Sequence, residues 1–195
     1  MSTPLKALID RLTPTARRAV EGAASRALSR THFEVEIEHV VLAILAQDDN
    51  AGVAALHSLG LSLDQLEKEL DSALDRFRTG NTRNPVLSSW LPKWLEKAWL
   101  MVSAELGQDS ISTLDLLLVL VRDEALRATL QGSSATLAKM DTQRALQGYV
   151  ALRQHGHEAA SNTQNMPAGD EAEEMNLDQP APRRGSPGLD KYTID

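Results

Sequence analysis

The stretch that decides the fold occurs twice in this chain. Residues 37–45 read IEHVVLAIL, and residues 111–121 read ISTLDLLLVLV. An alanine-rich segment with a proline near its start precedes each copy, beginning at Pro14 for the first and at Pro92 for the second. Two copies spaced by about 75 residues are too few and too far apart for a solenoid. We therefore expect an all-α fold of two packed half-bundles related by a pseudo-two-fold axis.

Composition and charge exclude several classes of protein. The chain has 195 residues, no cysteine and a formal net charge of −7. The lack of cysteine excludes a disulfide framework, a thiolate zinc site and a thiol nucleophile. The acidic balance argues against nucleic-acid binding, because phosphate neutralisation needs a Lys/Arg footprint. Neither a membrane span of roughly 20 apolar residues nor a secretory signal pattern occurs, so we expect a cytoplasmic protein that binds no membrane.

Composition also divides the chain into three parts. Residues 1–158 carry apolar side chains at helical spacing and are predicted to form one helical recognition domain. Residues 159–188 are rich in Asn, Gln, Glu, Pro and Gly and have few large apolar side chains to offset the entropy of ordering, which predicts a flexible linker. Residues 189–195 regain apolar character and are interpreted as the start of a further, truncated module.

Helical spacing and capping residues predict two repeats of four helices plus an extra N-terminal helix. The extra helix is short and amphipathic and covers Leu5–Leu12. Thr13 is predicted to cap the first helix of the first repeat, which has Pro14 in its first turn and runs to about Ser29. A polar connector, residues 78–85, leads to the second repeat. The other predicted helices cover residues 37–47, 52–59, 62–74, 90–106, 112–122, 124–130 and 141–155.

The doubled pattern resembles the Clp N-terminal domain, the substrate- or adaptor-binding module of Hsp100 AAA+ unfoldases. Thr13-Pro14, residues 38–45 and their echo at 114–118 carry this resemblance. Within that superfamily the chain most resembles the ClpV (TssH) branch of bacterial type VI secretion. That likeness rests on the added helix before Pro14, on residues 98–100 with 103–106, and on residues 189–195, which look like the start of the first ATPase module. The second repeat departs from the family pattern, because Leu114-Asp115 replaces a Glu-His pair.

The resemblance implies a division of labour between this chain and the rest of a longer protein. ClpV proteins are homohexameric ATPases that disassemble contracted sheath, and their N-domain recognises a helix near the N-terminus of the larger sheath subunit (VipB/TssC). By that likeness the chain is a recognition domain, monomeric in isolation, without catalytic, cofactor-binding or metal-ligating residues. ATP and Mg²⁺ would belong to the ATPase modules. The chain itself has no phosphate-loop pattern, so nothing in it is predicted to hold nucleotide phosphates.

The candidate peptide-binding residues lie in three places. The first is the apolar stripe of the N-terminal helix, with i, i+3, i+4 and i+7 spacing; it comprises Leu5, Leu8, Ile9 and Leu12. Such a stripe is ordinarily core, but it can also form one wall of a groove for a partner helix, which the resemblance favours. Leu87 and Trp90, at a loop-to-helix junction, are predicted to form the opposite wall. Arg17 and Glu21 either flank this groove with charges or are inert solvated residues.

Other conspicuous side chains are expected to have structural roles. The tryptophans Trp90, Trp94 and Trp99 are interpreted first as core residues, with an interface anchor as the alternative. His39, in a helix start, is expected to be a hydrogen-bonding group and neither a base nor a ligand. His155 and His157 are interpreted as an unconstrained pair with no fixed metal geometry, and the acidic cluster at residues 170–174 as a solubilising part of the linker.

Two other functions stay open at this point. The same fold serves general ClpB- or ClpA-like chaperones, whose N-domain meets unfolded chains or an adaptor. Selectivity for one sheath helix over many exposed apolar segments separates that function from the first. A small helical enzyme is the third hypothesis, and the sequence offers it neither a nucleophile–base pair nor metal-ligand spacing.

Overall fold

The computed structural model describes residues 4–47 and 50–163, with side chains as far as Arg153. Two short strands are present, β1 (Glu34–Val35) and β2 (Val86–Leu87), and a π-helical turn, Met101–Glu105, continues the sixth α-helix. The α-helices are, in chain order, α1 (Leu5–Asp10), α2 (Pro14–Ser29), α3 (Ile37–Leu45), α4 (Ala51–Ser58), α5 (Leu63–Leu74), α6 (Trp90–Leu100), α7 (Thr113–Arg122), α8 (Glu124–Gln131), α9 (Ala135–Ala138) and α10 (Thr142–Thr163).

The all-α prediction is confirmed, with four local corrections. The predicted helix over 90–106 is α-helical only to Leu100 and continues as the π turn. The short helix α9 was not predicted. The last helix, α10, continues to Thr163, so the first five residues of the predicted linker are helical. Strands β1 and β2 were not predicted either, because two residues are too short to show an alternating pattern. Residues 164–188 and 189–195 lie outside the described part of the chain.

Backbone pairing shows how the two repeats are related. Leu12, just before α2, forms a parallel bridge with Ile111, just before α7. Val35, just before α3, pairs in parallel with Leu87, just before α6. Each bridge therefore joins the start of the first long helix of one repeat to the start of the central helix of the other. This exchange is what a pseudo-two-fold axis between the repeats requires.

The core forms around α3 and α7, which are buried on nearly all sides. Helix α2 packs against α3 through a stripe of small side chains, all with no exposed surface: Ala16, Ala19, Ala23 and Ala27. The predicted cap at the start of α2 is present, because the Ala16 amide donates to Thr13 Oγ1 at 3.3 Å. Local capping and the alanine stripe together explain why α2 begins and ends where the sequence predicts.

Candidate peptide-binding surface

Helix α1 packs against α6 and divides its apolar stripe between core and surface. Leu8 and Leu12 are 1% and 5% exposed and belong to the core, whereas Leu5 and Ile9 are half-buried. This division corrects the prediction of a four-residue wall. In this structure Leu8 and Leu12 pack into the core, and of the four residues of the stripe only Leu5 and Ile9 have side-chain surface that a partner can reach.

The C-terminal end of α1 is held by three different contacts. Arg17 Nη2, from α2, donates to the Ile9 carbonyl oxygen at 3.0 Å and lies 3.6 Å from Asp10 Oδ1. The guanidinium of Arg11 lies over the Trp99 ring, 4.3 Å from its centroid. Where the chain turns from α1 into α2, the Ile111 amide donates to the Arg11 carbonyl at 2.8 Å. These contacts fix α1 to α2, to α6 and to the second repeat.

A strip of the outer face of α2 adjoins this end of α1. Arg17, Val20 and Ala24 are half-buried and follow one another at helical spacing beside the buried alanines, and Glu21 is exposed next to them. Because Arg17 bonds directly to α1, the strip and the accessible part of α1 form one continuous face. We call it the α1–α2 surface, and it consists of Leu5, Ile9, Arg17, Val20, Glu21 and Ala24.

Sequence reasoning missed two members of the α1–α2 surface, Val20 and Ala24. Stepping along α2 from Arg17 by three and by seven residues reaches both of them. Ala24 is of the same residue type as the buried alanines and differs from them only in its position around the helix.

Leu87 lies in strand β2, and Trp90 is the first residue of α6. Leu87, half-buried, pairs with Val35 beyond the C-terminus of α2, whereas α1 is attached at its N-terminus. The 16 residues of α2 separate the two ends by about 24 Å. Trp90 begins the helix on which α1 packs, and the opposite wall formed by Leu87 and Trp90 stays a prediction.

This far end of α2 is itself partly apolar. Val86 in β2 and Leu28 in the last turn of α2 are 62% and 49% exposed, and Trp90 is half-buried with Lys93 Nζ 4.7 Å from its ring centroid. We call Leu28, Val86, Leu87 and Trp90 the distal apolar cluster. Leu28 belongs to the first repeat, whereas Val86, Leu87 and Trp90 lie at the start of the second.

Trp94 and His39 have structural roles, as expected. Trp94 has no exposed surface, and its Nε1–H donates to the Leu116 carbonyl at 2.9 Å. His39 Nδ1 accepts from the Glu36 amide at 3.0 Å, so the neutral ring carries its proton on Nε2 and donates it to His32 Nδ1 at 2.8 Å. Burial, with the neighbouring His32 as a second cause, lowers the pKa of His39 to about 4. Both ring nitrogens of His39 are thus hydrogen-bonded, whereas His32 also lines a surface pocket with Phe77 and Arg78.

Two further expectations can be examined in the described residues only. In that part of the chain, no group of three or more His, Cys, Asp or Glu side chains is placed to hold a metal ion. No helix there is both long and apolar enough to cross a bilayer. The side chains of His155 and His157 and the acidic cluster at residues 170–174 lie outside the described part, so those interpretations stay predictions.

The sequence profile of the Clp repeat (R) N-terminal domain matches residues 11–166. The chain belongs to this family. Among curated proteins, the AAA+ ATPase ClpV1 of Pseudomonas aeruginosa is 31% identical over 134 residues, which cover 69% of this chain and 15% of that protein. The chain thus spans only a small part of the length of this relative.

Solved structures of ClpV share the fold. A chain from work on the ATPase ClpV, the TssB–TssC sheath and the accessory HsiE protein of type VI secretion is 28% identical, with a TM-score of 0.69 and coverage of 81% of this chain and 93% of that one. A ClpV N-domain in complex with a VipB peptide is 26% identical, with a TM-score of 0.57 and coverage of 69% and 86%. The likeness to the ClpV branch that the sequence predicts is therefore confirmed.

Proposed function

We propose that this chain is the substrate-recognition domain of a type VI secretion AAA+ unfoldase and that it binds an N-terminal helix of the sheath subunit VipB/TssC. The observation that carries the proposal is the complex of a ClpV N-domain with a VipB peptide, because that domain has the same fold and 26% of its residues in common with this chain. The α1–α2 surface and the distal apolar cluster supply the apolar face that a helical peptide needs.

The remaining parts of the proposal concern the whole protein. ClpV1 is an AAA+ ATPase of which the matched region is a small part. We place ATP, Mg²⁺ and a homohexameric ring in the rest of such a protein, in the cytoplasm, and we assign no catalysis to this monomeric domain. Binding a single helix should be of modest affinity, because ordering the peptide offsets part of the gain from buried surface. Six copies in a ring would raise the avidity.

The test uses aspartate substitutions on accessible positions. A fluorescent peptide from the N-terminus of the sheath subunit is titrated with the domain and with Ile9→Asp and Leu5→Asp. Since each change places a charge on a half-buried apolar contact, we expect affinity to fall by about tenfold or more. Leu8→Asp is avoided because it would place a charge in the core.

Val150→Asp provides the matched control. Val150 is an exposed apolar residue of α10, which packs on α4 and α7. Its substitution should leave peptide affinity unchanged. Equal losses for Ile9→Asp and Val150→Asp would contradict the assigned surface. Equally tight binding of an unrelated apolar peptide with the same length and charge would favour the general chaperone function instead.

A further inference from the structure

Helix α1 is too short to be stable without contacts from other elements. It has six residues, its N-cap is Pro4, and no side chain caps its first turn. Isolated helices shorter than about 12 residues are marginal in water, so α1 depends on contacts from other elements. Its C-terminal carbonyls also need donors from outside the helix. The groups that supply those contacts therefore decide where α1 lies.

Arg17 supplies one such donor from a rigid base. It lies in the first turn of α2, where its own amide donates to the Thr13 carbonyl at 2.8 Å. Its side chain reaches back to the Ile9 carbonyl at 3.0 Å and to the Asp10 carboxylate at 3.6 Å. A planar guanidinium can serve a carbonyl and a carboxylate together, which a lysine ammonium does less well.

The residue that Arg17 holds is also part of the candidate site. Ile9 is one of the two residues of the apolar stripe of α1 whose side chains are accessible, and its carbonyl is the acceptor of the Arg17 bond. Loss of that bond would leave the side chain of Ile9 unchanged and would change only how firmly its backbone is placed beside α2.

We propose that Arg17 is a positioning residue that sets the distance between α1 and α2, and so the width of the peptide-binding surface. It acts on the partner through α1. This inference rests on the proposed function only where peptide affinity is concerned, because the placement of α1 is a property of the free domain.

The neighbouring arginine is a natural control. Arg18 is exposed, and its side chain donates to Thr15 Oγ1 at 3.4 Å, within the first turn of α2. It has the same charge as Arg17 and follows it directly in the sequence. Removing Arg18 therefore changes the net charge near the site without touching the Arg17–Ile9 bond.

The experiment compares Arg17→Ala, Arg17→Lys and Arg18→Ala. Hydrogen exchange in the free domain reports on α1 through the amides of Leu8, Arg11 and Leu12, which donate to Pro4, Leu8 and Ile9 carbonyls. Peptide affinity is measured at low and high salt. For Arg17→Ala we expect about tenfold faster exchange of these amides and about tenfold weaker binding, since a hydrogen bond from a charged donor is lost.

The two other variants complete the prediction. Arg17→Lys should lie between the wild type and Arg17→Ala in both measurements, and Arg18→Ala should match the wild type in both. The salt dependence of binding should be the same for Arg17→Ala as for the wild type if Arg17 acts through α1 and not by a charge contact with the partner. Exchange in α3 serves as the internal reference and should stay unchanged in all variants.

Two results would overturn the inference. Weaker binding by Arg17→Ala with unchanged α1 exchange and a reduced salt dependence would make Arg17 a direct contact. Unchanged exchange and unchanged binding would remove any role in positioning. If the unsubstituted domain bound no sheath peptide, the proposed function would fail, while faster α1 exchange in Arg17→Ala would still support the positioning role.

Discussion

The two repeats start their central helices with the same backbone arrangement and different side chains. In α3 the N-cap is Glu36 and the third helical residue is His39; in α7 the corresponding residues are Ser112 and Asp115. Both pairs form reciprocal capping boxes, in which the third residue accepts a hydrogen bond from the N-cap amide. In both repeats, therefore, the N-cap amide needs a hydrogen-bond acceptor from the side chain of the third helical residue.

Each of these capping side chains has a second polar atom, which forms hydrogen bonds to different partners in the two repeats. His39 passes its hydrogen bond to His32, a neutral neighbour in the loop that precedes its own helix. Asp115, which has no exposed surface, accepts from Tyr149 Oη at 2.6 Å and from Arg153 Nη1 at 2.7 Å. Burial, with the adjacent Asp115 as a second cause, raises the pKa of Tyr149, so its hydroxyl stays a donor.

The difference shows that one capping position can serve two purposes. In the first repeat it closes a local loop with uncharged rings. In the second repeat it attaches α10 to α7 through a buried ion pair and a phenol. A buried charge destabilises the fold when its partners are removed, whereas a buried neutral ring destabilises it when the ring becomes protonated. The two repeats should therefore respond differently to substitution and to pH.

The largest expected effect on stability comes from substituting Asp115, the charged capping residue of α7. Asp115→Ala removes the acceptor of the Ser112 amide and leaves Tyr149 and Arg153 without their shared partner. Breaking a buried ion pair from one side typically lowers the free energy of unfolding by about 3–5 kcal/mol. Urea unfolding measures this loss. Asp115→Asn retains acceptor capacity and should lose less, and a loss below about 1 kcal/mol for the alanine variant would contradict the role given to this carboxylate.

The second effect is the dependence of stability on pH that His39, the neutral capping residue of α3, produces. The pKa of His39 falls from 6.5 to about 4 on folding, so between these values the unfolded chain binds more protons than the folded one. Its contribution to stability is full above pH 6.5 and is lost as pH falls through 4, by roughly 3 kcal/mol in all. The difference in urea unfolding between wild type and His39→Gln, measured from pH 4 to pH 7, isolates this contribution from the carboxylates.

A histidine on the surface controls for the pH experiment. His57 is exposed on α4, and His57→Gln provides the same substitution outside the core. A profile for His39→Gln that keeps the wild-type slope between pH 4 and 6.5 would show that His39 does not produce the pH response.

The smallest expected effect comes from adding a methyl group at two helical glycines. One lies at the boundary between the two repeats, and the other lies within the first repeat. A Cβ atom at Gly52 would lie 2.9 Å from Leu117 Cδ1, across the boundary between α4 and α7, whereas at Gly22 the nearest atom would be Ala43 Cβ at 3.5 Å. Gly52→Ala should cost about 1–3 kcal/mol through overpacking. Gly22→Ala should be neutral or stabilise by up to about 1 kcal/mol, because the site is helical and has room.

Thermal or urea unfolding of both variants checks this comparison. The Gly52 amide also donates to Thr113 Oγ1 at 3.2 Å, so a shift of α4 would disturb that bond as well. Equal stability of the two alanine variants would mean that the boundary between the repeats adapts as easily as the α2–α3 contact.

Local signals in the sequence were enough for much of the fold. Thr13, Pro14 and the alanine stripe placed α2 correctly, because capping and helical periodicity act over a few residues. The doubled central helix predicted the two repeats for the same reason. The π turn after Leu100 and the two-residue strands leave no such local pattern, since they depend on what packs against them.

The candidate site separates what the sequence by itself determined from what only the tertiary structure decided. The sequence determined the apolar stripe of α1 and the family, because both are properties of residue order. Only the tertiary structure decided that Leu8 enters the core while Ile9 stays accessible, that Leu87 pairs with Val35, and that Arg17 bonds the Ile9 carbonyl. The physical reason is that a short helix takes its orientation from the elements on which it docks, and those elements are distant in sequence.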